Sequence, residues 1–380
     1  MKSTFRVGLC PCASYEEQSV ENAVRTALDR SGGGPGIRGE VLLKANLLAP
    51  VRPDRSVTTH PMVLSAVVSW VRGNNPGVGI SVSDSPGYLF SGQWPLFVEI
   101  CGLSELTQKW NLEIRPLNDE GFLEIDSTAT VALGKFGIPV KAAKAGTLIN
   151  VAKCKTHVET EMTGCLKNTF GYLDTATRQR AHRSGSLRRL CDTILDAHLA
   201  RKPDWNILDA VVGMEGYGPS HGNPRKMGWI IASENALAAD VVAASMMGYR
   251  NPYSIPLLSA AAHRGMGPSD RNEIDLAGAT WEELAVPGFR KSPSALRRLV
   301  PTPLRGLAHS LVRLSPFWNT GSCTFCGVCA RVCPAEAIRT DTDRIEIDHH
   351  RCVRCLCCHE MCPTGAMKVQ PNLIARLLLK

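Results

Sequence analysis

Two runs of cysteine share one spacing. Cys323-x2-Cys326-x2-Cys329-x3-Cys333 ends at Pro334, and Cys352-x2-Cys355-x2-Cys358-x3-Cys362 ends at Pro363. The match continues past the thiols, since Cys333-Pro-Ala-Glu-Ala-Ile aligns with Cys362-Pro-Thr-Gly-Ala-Met. A cubane cluster offers one open position on each of its irons. Three thiolates spaced by two residues wrap one face of it, and the fourth, placed after a turn and stopped by proline, reaches the other cluster. The spacing predicts two [4Fe–4S] clusters. One sits on Cys323, Cys326, Cys329 and Cys362, the other on Cys352, Cys355, Cys358 and Cys333. Such clusters move electrons singly. Structural zinc commonly takes two separated pairs of ligands, and disulfide frameworks belong to oxidising compartments. Two complete four-cysteine runs, each closed by proline, fit neither.

The arrangement resembles the bacterial two-cluster ferredoxin module, a small α+β unit. Cys357 precedes Cys358 where the first run has Val328, and Leu356 replaces Gly327. Only Cys358 keeps the register, so Cys357 is a non-ligand beside the second cluster. Crossed ligation predicts that loss of Cys333 or Cys362 damages the cluster of the opposite run.

A second group of reactive side chains lies upstream, each following an apolar run. Lys44 and Asn46 end one, and Thr58, Thr59 and His60 open a helix. Asp84-Ser85-Pro86-Gly87 ends another. Lys153, Lys155, Thr156 and His157 follow a run around Ile149, Lys167-Asn168 opens a helical stretch, and Gly216-Tyr217-Gly218-Pro219 follows Val212. Lys44, Lys153, Lys155 and Lys167 suit a carboxylate or phosphate, helped by helix N-termini near Thr59 and Gly164. His60 and His157 suit proton transfer, with Asp84 orienting one of them. Singly these residues have structural uses as well: Thr59 suits a helix cap, Lys167 a solvated side chain, and the glycine-rich stretch a turn. His60, His157, His182 and His221 show no metal-ligand spacing. No G-x-G-x-x-G or phosphate-loop lysine motif occurs, which disfavours a nucleotide site.

These segments carry a second resemblance. Leu43-Lys-Ala-Asn46, Thr58-Thr-His-Pro61, Asp84-Ser-Pro-Gly87, Lys155-Thr-His157, Lys167-Asn168 with Gly171, and Gly216-Tyr-Gly-Pro219 with Gly222 resemble the family of iron–sulfur proteins named for domain of unknown function 362. The resemblance covers nearly the whole chain and implies an α/β body with cluster binding, often followed by a two-cluster module. It implies no substrate. Ala45 stands where proline is expected before Asn46.

The elements that must position these groups alternate. Residues 5–10, 41–48, 78–82, 147–151, 205–212 and 227–232 read as strands, and 16–29, 59–71, 94–110, 164–173, 186–200 and 236–247 as helical stretches. Strands separated by helices predict an α/β layer with a largely parallel sheet and flanking helices. Ligand sites in such folds lie beyond the carboxyl ends of strands, where the polar groups collect. Three parts follow: an α/β body at 1–285, a Pro- and Arg-rich connector at 286–320, and the two-cluster module at 321–380, in which 344–348 alternates like a strand.

The formal charge of the 380-residue chain is +8. Arg290, Lys291, Arg297, Arg298, Arg305 and Arg313, with no acidic residue in 286–320, account for most of it. Leu304, Leu307, Ala308 and Leu311 there follow helical spacing, as in a surface helix packed on the body. Aromatic residues make up 6% and do not interleave with these cations, so a nucleic-acid partner is disfavoured. No run approaches the roughly 18 apolar residues of a membrane span, and the N-terminus lacks signal-peptide features. The sequence predicts a soluble cytoplasmic protein with no transmembrane segment. Its expected role is that of an oxidoreductase passing electrons to an anionic small molecule in the body, or of a carrier docking a redox partner protein.

Overall fold

Positions 41–43 and 147–149 are buried throughout, as strands covered on both faces must be. In the computed structural model, which describes residues 4–85, 92–126, 129–300 and 311–377, they belong to neighbouring strands of one nine-stranded sheet. Its strands are β1 (Phe5–Pro11), β2 (Val41–Lys44), β3 (Ile80–Asp84), β4 (Glu113–Pro116), β7 (Thr147–His157), β8 (Glu161–Thr163), β9 (Trp205–Glu215), β10 (Asn223–Ser233) and β11 (Ile274–Ala277). A separate hairpin joins β5 (Phe122–Asp126) to β6 (Lys135–Pro139). The sheet order is β11-β1-β10-β9-β7-β2-β3-β4, with β8 paired on the end of β7. Along this path only the two pairings of β10 are antiparallel, so the fold is α/β with a largely parallel sheet.

Alternate residues of a strand face opposite sides, and two cores result. Leu42, Leu148 and Leu208 pack under α8 (Leu187–Ala200), α9 (Ala236–Met246) and α10 (Pro256–His263). Val41, Leu43, Ile149 and Ile207 pack under α1 (Glu17–Arg30), α2 (Pro61–Asn74), α3 (Trp94–Ile100) and α4 (Leu103–Trp110). The expected single helix over 94–110 is two, because Gly102 takes φ +70° between them. Short helices α5 (Val140–Lys144), α6 (Cys165–Asn168) and α7 (Thr175–Arg183) complete the layers.

The strands run further than their apolar stretches. β7 continues through His157, so Lys153, Lys155, Thr156 and His157 are strand residues rather than a loop after it. Helix α2 is capped by His60, whose Nδ1 accepts from the Met62 amide at 3.2 Å. Thr59, the expected cap, instead donates to the Val151 carbonyl at 2.8 Å and accepts from the Asn46 amide at 3.0 Å, tying the end of β2 to β7.

The connector lies against the body where it is described. Arg290 Nε pairs with Glu215 Oε1 at 2.7 Å, Arg298 pairs with Glu161, and Ser292 Oγ donates to the His157 carbonyl at 2.8 Å. Leu304, Arg305, Leu307 and Ala308 of the expected amphipathic helix, and Pro86-Gly87, lie outside the described residues.

The cysteine-rich end is a small α+β unit. β12 (Leu314–Trp318) pairs with β15 (Met367–Pro371) and β13 (Ile338–Thr340) with β14 (Ile345–Ile347), around helices α11 (Val328–Arg331) and α12 (Cys357–Glu360), with α13 (Leu373–Leu377) after β15. The internal repeat is visible in the backbone. Phe325 and Arg354, Gly327 and Leu356, and Glu336 and Gly365 occupy matching places and all have positive φ. No helix among the described residues is long and apolar enough to cross a membrane.

Candidate functional site

The carboxyl ends of β2, β3 and β7 carry a buried polar network. Lys44 Nζ lies 2.6 Å from Asp84 Oδ1 and also donates to the Ala45 carbonyl at 2.8 Å. Asp84 takes the backbone amides of Leu47 and Ser85. Asn168, from α6, crosses over this pair. Its Nδ2 donates to Asn150 Oδ1 at 2.7 Å, and its Oδ1 accepts from Asn46 Nδ2 at 2.8 Å. Asn46 Oδ1 in turn accepts from Lys155 Nζ at 2.8 Å, and Lys155 also donates to the Val57 carbonyl at 2.6 Å. Buried polar groups must be paired, and this chain of contacts satisfies Lys44, Asn46, Asp84, Lys155 and Asn168 together.

Lys153 belongs to a different cluster. A bulge in the pairing with β9 falls between Lys153 and Lys155, and such bulges re-aim side chains. Lys153 Nζ pairs with Asp209 Oδ2 at 2.8 Å and meets the Tyr15 hydroxyl at 2.8 Å. His60 stacks on Tyr15 with ring centroids 3.6 Å apart. Burial pushes the His60 imidazole down to about 4, with Asp209 partly opposing this. The expected convergence of four lysines and two histidines is therefore divided, with Lys153 and His60 in one cluster and Lys44, Lys155 and Lys167 on the Asp84 side.

On that side lies a cavity of about 140 Å3. The body lines it with Asn46, Asp84, Lys155, Lys167, Asn168 and Arg178. The cysteine-rich unit lines it with Val332, Cys357, Glu360 and Met361. Lys167 Nζ sits over the Phe170 ring at 5.6 Å. Burial lowers the Lys155 ammonium to about 7, against the opposing pull of Glu360. Thr156 and Gly218, expected at the site, do not line it and pack on each other instead: the Gly218 amide donates to Thr156 Oγ1 at 3.3 Å, and a Cβ on Gly218 would lie 2.1 Å from the Thr156 carbonyl. Pro219, next in the chain, reaches the cavity.

His157 stands behind it. Its Nδ1 accepts from the amides of Glu159 and Thr160, and its Nε2 lies 3.6 Å from Glu360 Oε2. Arg178 and Glu360 were not singled out by sequence reasoning, and His182, which also lines the cavity, was weighed there only as a metal ligand. Glu360 sits between ligand-spaced cysteines and Arg178 on an ordinary surface-like helix, and neither position carries a local signal.

The cysteine donors fit iron–sulfur clusters. Burial together with neighbouring Cys362 and Cys326 pushes Cys329 up to about 11, and burial together with Cys355 and Cys333 raises Cys352. Backbone amides are already aimed at the sulfurs: Phe325 at Cys323 Sγ (3.4 Å), Ala337 at Cys333 Sγ (3.2 Å) and Met367 at Cys362 Sγ (3.5 Å). Such donors stabilise the thiolates that bind iron.

Fold and donor set together define an α/β protein joined to an iron–sulfur electron-transfer unit. Residues 41–245 match the Domain of unknown function (DUF362), and the chain belongs to that family. Residues 316–339 match the 4Fe-4S binding domain. Thylakoid-associated protein sll1697 of Synechocystis sp. is 32% identical over 273 residues, 69% of this chain and 80% of its own. NADH-quinone oxidoreductase subunit I of Pelobacter propionicus is 37% identical over 113 residues, 25% of this chain and 58% of its own. Uncharacterized ferredoxin MJ0199 of Methanocaldococcus jannaschii is 36% identical over 48 residues, 12% of this chain and 77% of its own. The chain binds at least one 4Fe-4S cluster and serves in iron–sulfur electron transfer.

Proposed function

We propose that the chain is an oxidoreductase that reduces an anionic small molecule held in the cavity, with two [4Fe–4S] clusters on the crossed cysteine sets and electrons arriving from a redox partner protein. When bound, the clusters supply electrons singly, and reduction of a two-electron acceptor is completed by two protons, one supplied by the protein and one by water. The observation that carries this reading is the shared wall. One cavity is bounded both by body cations and by residues flanking the second cysteine run. Lys155, Lys167 and Arg178 outnumber Asp84 and Glu360 there, and Asp84 is already paired with Lys44. A positive cleft with apolar walls concentrates anions. At about 140 Å3 the space is below the roughly 300–1,000 Å3 of pockets for drug-sized ligands, so it suits a small acid or the anionic end of a larger acceptor.

Lys155 supplies the protein's proton in this reading. Two of the three ammonium hydrogens are held by Asn46 and Val57, which leaves the third for the cavity. An ammonium that titrates near neutrality is matched to general-acid work. Asn46 and Asn168 fix its position, and Lys167 and Arg178 hold the anion. A docking-only role draws less support, because Arg290 and Arg298 of the connector are engaged with Glu215 and Glu161.

The test is an anaerobic screen. Protein reduced chemically and freed of excess reductant is offered pools of small organic acids and phosphate esters while the cluster absorbance is followed. The expected result is reoxidation by a specific compound, lost in Lys155→Met with the cluster absorbance intact. Reoxidation by no pool above the buffer rate would refute the reading.

A further inference from the structure

The two cysteine runs are alike in sequence and unlike in surroundings. Around the second, Leu356 is buried in a cluster with Val158 of the body, and His359 is buried with Nε2 3.4 Å from the Tyr217 carbonyl. Cys357 and Glu360 line the cavity. Around the first, the position matching Glu360 is Arg331, which is exposed, and Cys326 is the exposed thiol of the eight. Neither Cys323, Cys326 nor Cys329, nor any residue between them, lines the cavity. Met361 does line it and precedes Cys362, so the two sets meet there through the crossed ligand alone.

Resting on the reading of the cavity as the acceptor site, we infer that the two cysteine sets have fixed and different places in the electron path. Cys352, Cys355, Cys358 and Cys333 hold their cluster against the cavity. Cys323, Cys326, Cys329 and Cys362 present theirs to an external one-electron carrier. Each reduction of one acceptor molecule then takes two encounters at the Cys326 side. The carrier loses one electron in each, and the acceptor gains both together with two protons, one from Lys155 Nζ, which is reprotonated from water, and one taken from water directly. Transfer rates fall steeply with distance, so the place of Cys357 and Glu360 of the second run on the cavity wall and the exposure of Cys326 in the first impose direction on a unit whose two halves share one sequence pattern.

Two measurements on the full-length, anaerobically loaded chain test this without any acceptor. The first is electron paramagnetic resonance with a soluble paramagnetic chromium complex, which relaxes clusters near solvent. The signal of the first set is identified by Cys326→Ser, which alters it if the cluster is kept and abolishes it if the cluster is lost. That signal should be relaxed preferentially. The second is a potentiometric titration of Lys167→Met, in which a cation is removed from the cavity wall. The midpoint of the other signal should fall, while that of the Cys326 signal stays in place. Equal relaxation of both signals, preferential relaxation of the wrong one, or a joint shift of both midpoints would overturn the assignment. A correct assignment with no acceptor found in the anaerobic screen would leave the placement standing and remove the proposed reaction.

Discussion

His157 Nε2 faces Glu360 Oε2 at 3.6 Å, the last residue of β7 against the last residue of α12. Because Nδ1 accepts two backbone amides, the ring proton sits on Nε2. Burial holds this imidazole well below its ordinary 6.5, and it is neutral in the folded protein. Burial likewise pushes His60 to about 4 and His198 to about 3.

These histidines predict an acid-labile fold. Each must stay neutral when folded and gains a proton freely when unfolded, so its contribution is present above about 6.5 and is lost as pH falls toward 4 and 3. His182 has the opposite sign: burial alone would lower it, yet Glu159 at 3.0 Å raises it, and its contribution is lost as pH rises through that raised value. Burial also pushes His221 down to about 4 and lowers His359, while Asp240, pushed up to about 7, joins His182 on the opposing side. The five histidines outnumber the opposing groups, so the melting temperature of the loaded protein should drop between pH 6.5 and 4, each group contributing on the order of 1.4 kcal/mol per pH unit. A flat profile over that range would contradict the neutral assignments.

Removing one member of the Lys44–Asp84 pair should be costly and unequal. Breaking a buried ion pair costs about 3–5 kcal/mol. Lys44→Met leaves Asp84 still bonded to the Leu47 and Ser85 amides, whereas Asp84→Ala strands those amides and the ammonium together. Urea unfolding should rank Asp84→Ala as the more damaging, and the reverse order would mean that the pair is not what holds the loop after β3.

Leu356 should invert the usual preference for alanine over glycine. It has φ +61° where the first repeat has Gly327, and its side chain is buried with Val158, Leu314 and Val369. Both Leu356→Ala and Leu356→Gly lose about 2–5 kcal/mol of packing, but only glycine releases the left-handed strain of about 1 kcal/mol. Thermal denaturation should place the glycine variant above the alanine variant.

Once an acceptor is in hand, its reduction should fall as pH rises through about 7, because Lys155 must carry the proton that it donates. In Lys155→Met the remaining slow rate should lose this limb of the pH profile. A wild-type rate that stays level from pH 6 to 9 would remove Lys155 as the acid while leaving it as an anion-binding group.

The cysteine-rich iron–sulfur unit was legible because the spacing of its cysteines is local and repeated. The strand–helix order was legible because burial on both faces leaves unbroken apolar runs such as 41–43. The carboxyl-end position of Lys44, Asp84 and Asn168 followed from that order. What was hidden depended on long-range packing. Lys153 and Lys155, two apart on a strand, read as one site until the bulge sends them to different clusters. Thr59 read as a cap, yet Val151 across the sheet claims its hydroxyl and the next residue caps instead. The connector arginines read as free charge because Glu161 and Glu215, which meet Arg298 and Arg290, are distant in sequence.

β10 is the one strand of the main sheet path that runs against its neighbours, and this has a consequence for how the protein is made. Gly8 of β1 pairs with Ala232 of β10 and Ala277 of β11, so β1 has neither sheet partner until most of the body has been synthesised. Parallel pairings across such separations form late, while β9 and β10, joined by a short turn, can form as a hairpin at once. Closure of the sheet edge therefore waits for β10 and β11, and the cysteine runs emerge later still.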